Sequence, residues 1–507
     1  MKTDVIIVGA GPSGLALACQ FIRFGVDFVI FDKKETTTPY SKAIGVQART
    51  LEIYEQIDLA DKLIAAGKIA AKARMIVGGK VRGEVEFGEI GKGLSAYPFV
   101  LIVEQGRHET ILYDFIKSHG RDVLWNTELE TFTQDDAGVK VNLKGGETIE
   151  AKYLAACDGA KSPVRHSLGL TFEGSTFERM FYVADVQIDW NFSHDALTVF
   201  LMKHNLLAFF PMVGEKCWRI VGTFPEEFTK DEGEVLYEEI EEQIKKDTEL
   251  DLDITNVNWF STYKVHTRHV NKFSVGRCFL AGDAAHIHTP AGAQGMNTGI
   301  QDGYNLAWKL ATVLRGNTDA KLLETYNDER LPNAETLLKT TDRFFNLVAS
   351  PEPILAYLRT HVFPYIAGAA FSLDAVKKFI FPRVSQIAIN YRHSSLSEND
   401  GDFDVKAGDR FPYFELEGAS VYEKLKLPQF HLLTFFDGEN KLADYTEILK
   451  NEAIDFHALS LTSDIAEIFG ASKSFTVLLR PDNYIGFISE DISGEGLRRY
   501  LLDVSFR

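Results

Sequence analysis

A glycine-rich turn close to the amino terminus has the residue types and spacing needed to hold a phosphate group. It reads Gly9-Ala10-Gly11-Pro12-Ser13-Gly14. The first glycine permits a tight turn from strand to helix, the second lets a pyrophosphate approach the backbone, and the third allows close helix packing. The N–H groups at the start of the following helix would bind the anion. Asp32, with Lys33 beside it, lies where an acid can accept a ribose hydroxyl, so a dinucleotide site is predicted.

Two further motifs lie in the middle of the chain. The second is Cys157-Asp158-Gly159-Ala160-Lys161-Ser162-Pro163-Val164-Arg165, and the third begins with Gly282-Asp283-Ala284-Ala285-His286. The third continues through Pro290 to Gly292-Ala293-Gln294-Gly295-Met296-Asn297. A carboxylate such as that of Asp283 accepts hydrogen bonds from sugar hydroxyls, and glycines let a backbone lie close to a flat ring. The Asp158-Gly159 pair has an alternative interpretation as a purely structural turn.

Regular elements on either side of the motifs would hold them in place. Asp4–Val8 and Asp27–Phe31 are apolar runs typical of buried strands, and helical spacing fills the interval up to Gly25. This β-α-β unit predicts the start of a doubly wound sheet. Farther along, Asn297–Leu314 predicts a strong helix that begins at the end of the third motif.

The remainder of the chain predicts two further units. Short segments within residues 172–265 indicate an antiparallel sheet that covers a substrate, and strands at 74–103 would belong to it or to the first unit. A polar linker is predicted at 393–402. The last unit follows, with central strands at 430–436 and 474–480.

Composition argues against several classes of partner. The 507 residues carry a formal net charge of −18, which opposes binding to nucleic acid or to anionic membranes. The four cysteines form no Cys-x-x-Cys pair, so the sequence predicts neither a metal site nor a redox dithiol. Free thiols in so large a chain fit a cytoplasmic location. The most apolar late stretch, 362–373, is too short to span a bilayer.

With its three motifs in this order, the chain resembles the class A FAD-dependent aromatic monooxygenases, the para-hydroxybenzoate hydroxylase superfamily. The likeness covers about the first three quarters of the chain and is greatest to the phenol and polyketide hydroxylase branch. It implies an α/β fold: a Rossmann-like FAD-binding domain, an inserted antiparallel-sheet substrate domain and a C-terminal thioredoxin-like domain. The predicted ranges are 1–171 and 266–392 for the FAD-binding domain, 172–265 for the substrate domain and 402–507 for the last domain.

The resemblance also implies which residues bind FAD. Asp283 would hold the ribityl chain, Pro290 would lie over the isoalloxazine ring, and Gly295-Met296-Asn297 would face its N1 and O2 edge. The other implied cofactor positions are Gly292, Asp158-Gly159, Gln105 near the ribityl and phosphate groups, Leu129 at the adenine, and Lys42, where the family usually has arginine. A lysine could still contact phosphate, but as a point charge without a bidentate fork.

For the reaction, the resemblance implies hydroxylation of a phenolic or polycyclic aromatic substrate by O2 through a flavin C4a-hydroperoxide. NADPH or NADH would be a transient electron donor, because no second glycine-rich turn lies in a strand-turn-helix context. A homodimer is compatible with the sequence. Epoxidation, Baeyer–Villiger oxidation and antibiotic inactivation on the same scaffold are alternatives, and flavin-based redox sensing is a more remote one.

The catalytic and substrate-binding residues are the least defined part of the prediction. Phenol hydroxylases have an acid at the position of Ile44, so either the base that deprotonates a phenol comes from elsewhere or the substrate differs. The side chains predicted for catalysis are Arg49, Pro290 and His288, and those predicted for the substrate are Gln47, Phe210 and Pro211. The alternatives are a structural salt bridge for Arg49, a structural role for His286, and plain core for the aromatic strand around Phe210.

The C-terminal unit carries its own likeness to the thioredoxin-like domain of the same hydroxylases. The matching segments are Ala407–Pro412 and Leu479–Asp482. The unit contains no cysteine, which excludes thiol–disulfide chemistry. A structural or dimer-related role is therefore expected.

Overall fold

The structure, a computed structural model, describes residues 1–39, 43–202, 205–224, 234–289, 291–316, 318–349, 352–438, 445, 449 and 454–503. Among these residues, no helix is both long and apolar enough to cross a membrane. The α-helices are, in chain order, α1 (Pro12–Phe24), α2 (Ala48–Glu55), α3 (Ala60–Ala66), α4 (Gln105–Ser118), α5 (Pro163–Ser167), α6 (Tyr237–Thr248), α7 (Gly295–Leu314), α8 (Glu324–Ala349), α9 (Pro353–His361), α10 (Phe363–Ser372), α11 (Asp374–Val384), α12 (Ser463–Phe469) and α13 (Glu495–Asp503).

The strands form two large sheets, a five-stranded sheet and two small ones. In chain order they are β1 (Lys2–Val8), β2 (Phe28–Phe31), β3 (Gly45–Val46), β4 (Lys68–Ala70), β5 (Lys72–Val77), β6 (Lys80–Glu86), β7 (Val100–Ile102), β8 (Val123–Leu124), β9 (Leu129–Gln134), β10 (Val139–Leu143), β11 (Thr148–Ala156), β12 (Phe172–Asp189), β13 (Ala196–Leu201), β14 (Leu206–Pro211), β15 (Cys217–Thr223), β16 (Asp253–Val270), β17 (Ser274–Val275), β18 (Cys278–Leu280), β19 (His286–Ile287), β20 (Glu398–Asp400), β21 (Glu415–Leu416), β22 (Ala419–Ser420), β23 (Phe430–Phe436), β24 (Ile454–Ser460), β25 (Phe475–Leu479) and β26 (Ile485–Ser489).

The first sheet places the glycine-rich turn at the carboxyl end of its central strand. Five strands run parallel in the order β18-β11-β1-β2-β8, and β17 and the β9-β10 hairpin join them antiparallel. Val5, Ile6 and Ile7 of β1 are fully buried, which explains why this run has no polar alternation. The predicted β-α-β unit is present, because β1 and β2 pair in parallel on either side of α1 in the sequence.

Helices α1 and α7 approach each other so closely that glycines are required at their contact. A Cβ atom at Gly299 would lie 2.3 Å from Ser13 Oγ, and one at Gly303 would lie 3.2 Å from Leu17 Cβ. Gly282, with a φ of +60°, presents the same 2.3 Å conflict with Ser13 Oγ. The contact therefore brings the start of α1 and the third motif together beside the first sheet.

The second sheet is a mainly antiparallel layer of eight strands in the order β19-β16-β12-β15-β14-β13-β5-β6. Its longest strands, β12 and β16, pair with each other through register shifts that mark irregularities in the ladder. The sequence left open which unit the strands at 74–103 join. The structure divides that segment: β5 and β6 extend the second sheet from β13, whereas β7 pairs with β3 and β4 in a separate small sheet.

The last unit is a mixed five-stranded sheet in the order β20-β26-β25-β23-β24. β23 and β24 pair in parallel, and β25 runs antiparallel to both β23 and β26. The linker predicted at 393–402 is wrong in part, because Glu398–Asp400 forms β20 and pairs with β26. The reason is that β20 is an edge strand with mostly exposed residues, so its polar composition resembles that of a loop.

A buried network of charges joins the last unit to the helices of the first. Arg480 forms ion pairs of 2.6 Å with both Glu329 and Asp482, and Lys309 lies 2.7 Å from Glu329. The indole N–H of Trp308 donates to Asp482 at 2.9 Å. All four charged side chains are at most 1% exposed, so each charge depends on its partners for compensation.

Replacing Arg480 with methionine should destabilise the protein by about 3–5 kcal/mol, because it leaves Glu329 and Asp482 buried with too few cations. The free energy of unfolding from urea denaturation measures the effect. Arg499→Met is the matched control, since Arg499 pairs with Glu398 at the surface, and its loss should be about 1 kcal/mol or less. Equal losses in the two variants would contradict a role of the network in joining the units.

Candidate functional site

In the glycine-rich turn, Gly9 and Gly14 lie against neighbouring backbone, whereas Gly11 faces open space. Gly9 has a φ of +100°, and a Cβ atom there would lie 2.3 Å from the carbonyl oxygen of Cys157. A Cβ at Gly14 would lie 2.0 Å from the oxygen of Gly9. At Gly11, in contrast, it would have no neighbour within 4 Å in the described part of the chain. The open position is the one at which the sequence predicted a pyrophosphate, next to Pro12 and Ser13 at the start of α1.

Asp32 closes the other side of this turn. Its carboxylate accepts the Ala10 N–H at 2.7 Å and the Lys34 N–H at 2.9 Å, and 11% of the side chain is exposed. Lys34, which the sequence analysis missed, donates its ammonium to the Ala10 carbonyl at 3.3 Å. Lys33 is exposed to solvent. The lysine in contact with the turn is therefore Lys34, because residue 34 and not residue 33 points back over the end of β2.

The second motif contacts both of the others. Cys157 and Asp158 lie against the backbone of Gly9, and Asp158 accepts the Val164 N–H at 3.2 Å. The Arg165 guanidinium donates to the carbonyl of Ala284 in the third motif at 3.0 Å. The second carboxylate oxygen of Asp158 is buried with no hydrogen-bond partner in the described residues, and burial raises the pKa of this group. An unpaired acceptor at this point fits a ligand with hydroxyl donors, such as a sugar, better than a turn alone.

The third motif begins in a short 3-10 turn, Gly282–Ala284. Asp283 in this turn is exposed, and its neighbour Gly282 touches Ser13 at the start of α1. The turn that carries Asp283 is thus next to the predicted pyrophosphate position. Pro290 and Lys42 lie outside the described residues.

Asn297 holds the start of α7 against the segment 45–50. Its side-chain oxygen accepts the Gln47 N–H at 2.9 Å and the Thr50 hydroxyl at 2.7 Å, and its amide donates to the carbonyls of Gly45 and Ala293. The side chain is fully buried. The prediction that Asn297 faces the flavin therefore applies only to its backbone. The helix N-terminus supplies N–H groups and partial positive charge at that place.

Other predicted residues surround this helix start. Gln47 donates its side-chain amide to the Gly292 carbonyl at 3.0 Å, and its Oε1 is buried without a partner among the described residues. Gly295 opens α7, and the sulfur of Met296 lies 3.4 Å from Nδ1 of His108. His108 was not singled out by the sequence, because a histidine inside the amphipathic pattern of α4 carries no motif.

Gln105 and Leu129 begin elements of the first unit. Gln105 is the first residue of α4, and its amide accepts the Ala43 N–H at 3.4 Å and donates to Glu109 at 2.9 Å. Leu129 is the first residue of β9 and is buried. Gln105 thus contacts Ala43, which lies just before the segment held by Asn297. This position is compatible with the predicted place of Gln105 near the flavin.

Two histidines and an aspartate form a buried chain beside α7. His286 Nε2 lies 2.7 Å from Asp302, and His288 Nε2 lies 2.7 Å from His286 Nδ1. Asp302 also forms an ion pair with Arg330 at 2.7 Å. Burial alone would raise the pKa of Asp302, but Arg330 and His286 outweigh it and hold that pKa well below its usual range. These contacts fit the structural role that was the alternative for His286. His288 is the last residue of the hydrogen-bonded chain.

The protons of this chain follow from the ionised carboxylate. Asp302 can only accept, so His286 donates from Nε2, and its Nδ1 accepts from His288 when the His286 ring carries a single proton. His288 then donates from Nε2, and its Nδ1 keeps a lone pair. That atom is buried and has no partner in the part of the chain that the structure describes. Burial, followed by the proximity of His286, lowers the pKa of His288 well below its usual value, so the ring is neutral at pH 7.

Arg49 makes the contacts expected of a structural salt bridge, which was the alternative to a catalytic role. Its guanidinium lies 3.2 Å from Glu52, donates to the carbonyl of Asp482 at 2.9 Å, and faces the rings of Tyr304 and Tyr484. The side chain is 1% exposed. The catalytic prediction for Arg49 is therefore corrected, because the residue joins α2 to the last unit. The sequence could not show this, since Asp482 is more than 400 positions away.

One face of the second sheet carries an aromatic and charged row. Phe210 pairs with Arg219, Arg219 with Asp185, and Asp185 with Trp259 on four adjacent strands. Directly paired residues point to the same face. Phe210 packs against a small apolar cluster of Ile44, Ala70 and Ile102, and Ile44 directly precedes the segment that Asn297 holds. The Phe210 end of this row therefore lies beside that segment.

The strand alternation separates Phe210 from its predicted companions. Pro211 pairs with Trp218, and both Trp218 and Phe209 lie in the core on the opposite face of the sheet. Pro211 and Phe210 do not share a face of the sheet, because successive residues of a strand point to opposite faces. The substrate contact of Pro211 stays a prediction. Phe209 has the plain core role that the sequence analysis gave as the alternative.

Comparisons with known proteins agree with this arrangement. The family described as FAD binding domain matches residues 2–341. A flavin-dependent monooxygenase of Mycobacteroides abscessus is 33% identical over 99% of both chains, and 6-methylpretetramide 4-monooxygenase of Streptomyces rimosus is 31% identical over 95% of this chain and 90% of its own. The crystal structure of OxyS, anhydrotetracycline hydroxylase of Streptomyces rimosus, superposes with a TM-score of 0.76 at 26% identity and covers 100% of both chains.

The chain belongs to the class A FAD-dependent aromatic monooxygenases. FAD is its cofactor, as the three motifs predicted. The described residues fit this ligand on independent grounds. Gly11 faces open space at the start of α1, the Asp158 carboxylate has an unpaired buried oxygen, and two helix N-termini converge near Ser13.

Replacing Gly11 with valine should give a folded protein that does not retain FAD. A Cβ atom at this position has no described atom within 4 Å, and the valine methyl groups would occupy the approach of the pyrophosphate. The ratio of flavin to protein absorbance after gel filtration measures binding, and circular dichroism measures folding. Gly88→Val is the control, since a Cβ there would make only ordinary contacts at 3.7 Å, away from the turn. Normal FAD content in Gly11→Val would contradict the assignment.

Proposed function

We propose that this enzyme hydroxylates a phenolic or polycyclic aromatic compound of the polyketide type, using O2 and electrons from NADPH or NADH. The observation that carries the proposal is the row Phe210, Arg219, Asp185 and Trp259 on one face of the second sheet, whose Phe210 end packs beside the segment that Asn297 holds. Aromatic rings and one ion pair suit a flat substrate with several oxygen atoms. The tetracycline-type hydroxylases among the relatives support this substrate class.

FAD, when bound, supplies the chemistry that activates oxygen. The chain contributes three things around it. The N-terminus of α7 stabilises negative charge, and Asn297 fixes that helix start against Gly45 and Gln47. The apolar cluster of Ile44, Ala70 and Ile102, with Phe210 packed against it, keeps water from the same region.

His288 supplies the base that the sequence analysis could not identify at Ile44. Its Nδ1 is buried and unpaired among the described residues, and the ring is neutral. Burial lowers the pKa of the ring and so weakens it as a base, whereas the nearby charge of Asp302 acts in the opposite direction. The ring also touches the flavin segment, since a Cβ atom at Gly295 would lie 3.7 Å from His288 Cδ2. A proton taken from a phenol would be stabilised through His286 by the charge of Asp302. Deprotonation makes the ring a better nucleophile.

The reaction is tested by stopped-flow absorbance of the FAD-loaded protein. NADPH or NADH is mixed with it without oxygen, alone and with each member of a panel of phenols and aromatic polyketides, and isotopically labelled oxygen is then added. We expect at least one ligand to accelerate flavin reduction and to gain one labelled oxygen atom. A flavin that neither nucleotide reduces with any ligand would contradict the proposal and favour the sensor alternative.

His288→Asn should lower kcat for hydroxylation about 100-fold or more, in the range expected for loss of a general base. The loss should be smaller for phenols with a more acidic hydroxyl, because these need less help to ionise. Steady-state rates across a series of substituted phenols measure this dependence, and His119→Asn at the surface is the control. A uniform loss across the series would mean that His288 is structural.

We propose that the last unit has the thioredoxin-like fold and serves as a support for the FAD-binding helices. The order β26-β25-β23-β24, with β23 and β24 parallel and β25 antiparallel to its neighbours, supports this assignment. The charge network of Arg480 and Glu329 supports the role. The domain ranges proposed from the sequence are retained with two changes: β5 and β6 are assigned to the substrate domain, and the last domain starts at Glu398.

A further inference from the structure

Three potential metal ligands meet on the last sheet, far from the three motifs in the sequence. His431 lies on β23, and Asp455 and His457 lie on the neighbouring edge strand β24. The parallel register pairs His431 with Asp455, and His457 is two residues farther along. All three side chains therefore project from the same face of the sheet.

The ligand atoms have the separations of a tetrahedral metal site. His431 Nδ1 lies 3.4 Å from His457 Nε2 and 3.3 Å from Asp455 Oδ2, and the last two atoms are 3.1 Å apart. Zinc binds nitrogen and oxygen at about 2.0–2.2 Å with tetrahedral angles, which puts neighbouring ligand atoms about 3.3 Å apart. The triangle thus has the size of one face of a zinc tetrahedron.

A hydrogen bond outside the triangle orients His431. Its Nε2 donates to the carbonyl of Leu427 at 3.1 Å, which leaves Nδ1 with its lone pair directed at the other two ligands. Metal-binding histidines commonly have this type of partner on the second nitrogen. The His431 side chain is fully buried, so its orientation is fixed by packing.

The triangle is open to solvent on one side. The side chains of His457 and Asp455 are 18% and 27% exposed. A metal could enter from that side, and water could complete the tetrahedron. Arg23 of α1 donates to the carbonyls of Lys426 and Leu427, so the chain that precedes β23 is anchored to the first unit.

We propose that His431, Asp455 and His457 bind one zinc ion, with water as the fourth ligand. The ion ties the edge strand β24 to β23, where parallel pairing on one side is its only sheet contact among the described residues. Two imidazoles and a carboxylate are ligands that zinc accepts. The sequence predicts no metal site, because its cysteine spacing contains none and because His431 meets Asp455 and His457 only through strand pairing. This proposal does not depend on the proposed function.

The experiment uses tag-free, FAD-loaded, full-length enzyme, dialysed against a chelator and titrated with zinc chloride. Elemental analysis after gel filtration should give one zinc per chain. Binding should weaken at least tenfold in His457→Gln and in Asp455→Asn, both of which are partly exposed and compatible with folding. His393→Gln, an exposed histidine outside the cluster, is the matched control and should bind as the wild type does.

Thermal unfolding gives a second readout. Zinc should raise the unfolding temperature of the wild type and of His393→Gln but not of His457→Gln, because only a ligand of the folded state stabilises it. A wild type that retains no zinc, or variants that bind zinc as tightly as it does, would overturn the proposal and leave a hydrogen-bonded His-Asp-His cluster. FAD content and hydroxylation measured on the same samples keep this outcome separate from the proposed function.

Discussion

The close contact between α1 and α7 is the constraint on which the rest of the site depends. Gly282 and Gly299 have no space for a side chain against Ser13, and Gly303 has little against Leu17. Because these positions lack side chains, the two helices can start near the same point. Their N-terminal N–H groups then converge on one region, which is what a cofactor with a pyrophosphate and an anionic reduced ring requires.

Helix α7 connects this cofactor region to every other unit. At its start, Asn297 holds the segment that contains Gln47. Further along, Asp302 orients the chain that ends at His288, and Trp308 and Lys309 reach the charge network of the last unit. The helix therefore joins the cofactor region to the C-terminal unit through direct buried contacts.

Burial decides the chemistry of the polar groups in this protein. Asp302 stays ionised in the core because the charge of Arg330 and the hydrogen bond from His286 stabilise it, and the carboxylate fixes the His286 nitrogen that donates to it. Arg49 has equally good polar contacts, but they go to Glu52 and the last unit. Buried polar side chains with equally good contacts can thus have different roles, and the identity of their partners distinguishes these roles.

The sequence by itself determined the β-α-β unit, the FAD cofactor and the family, because those depend on local turns, helix starts and short motifs whose spacing is fixed by the backbone. The tertiary structure decided what depends on long-range pairing. In the folded chain, Pro211 and Phe210 point to opposite faces, β5 and β6 pair within the second sheet, and Arg49 joins α2 to the last unit. The tertiary structure also brought His431 to Asp455 and His457 through strand register, which no local pattern could specify.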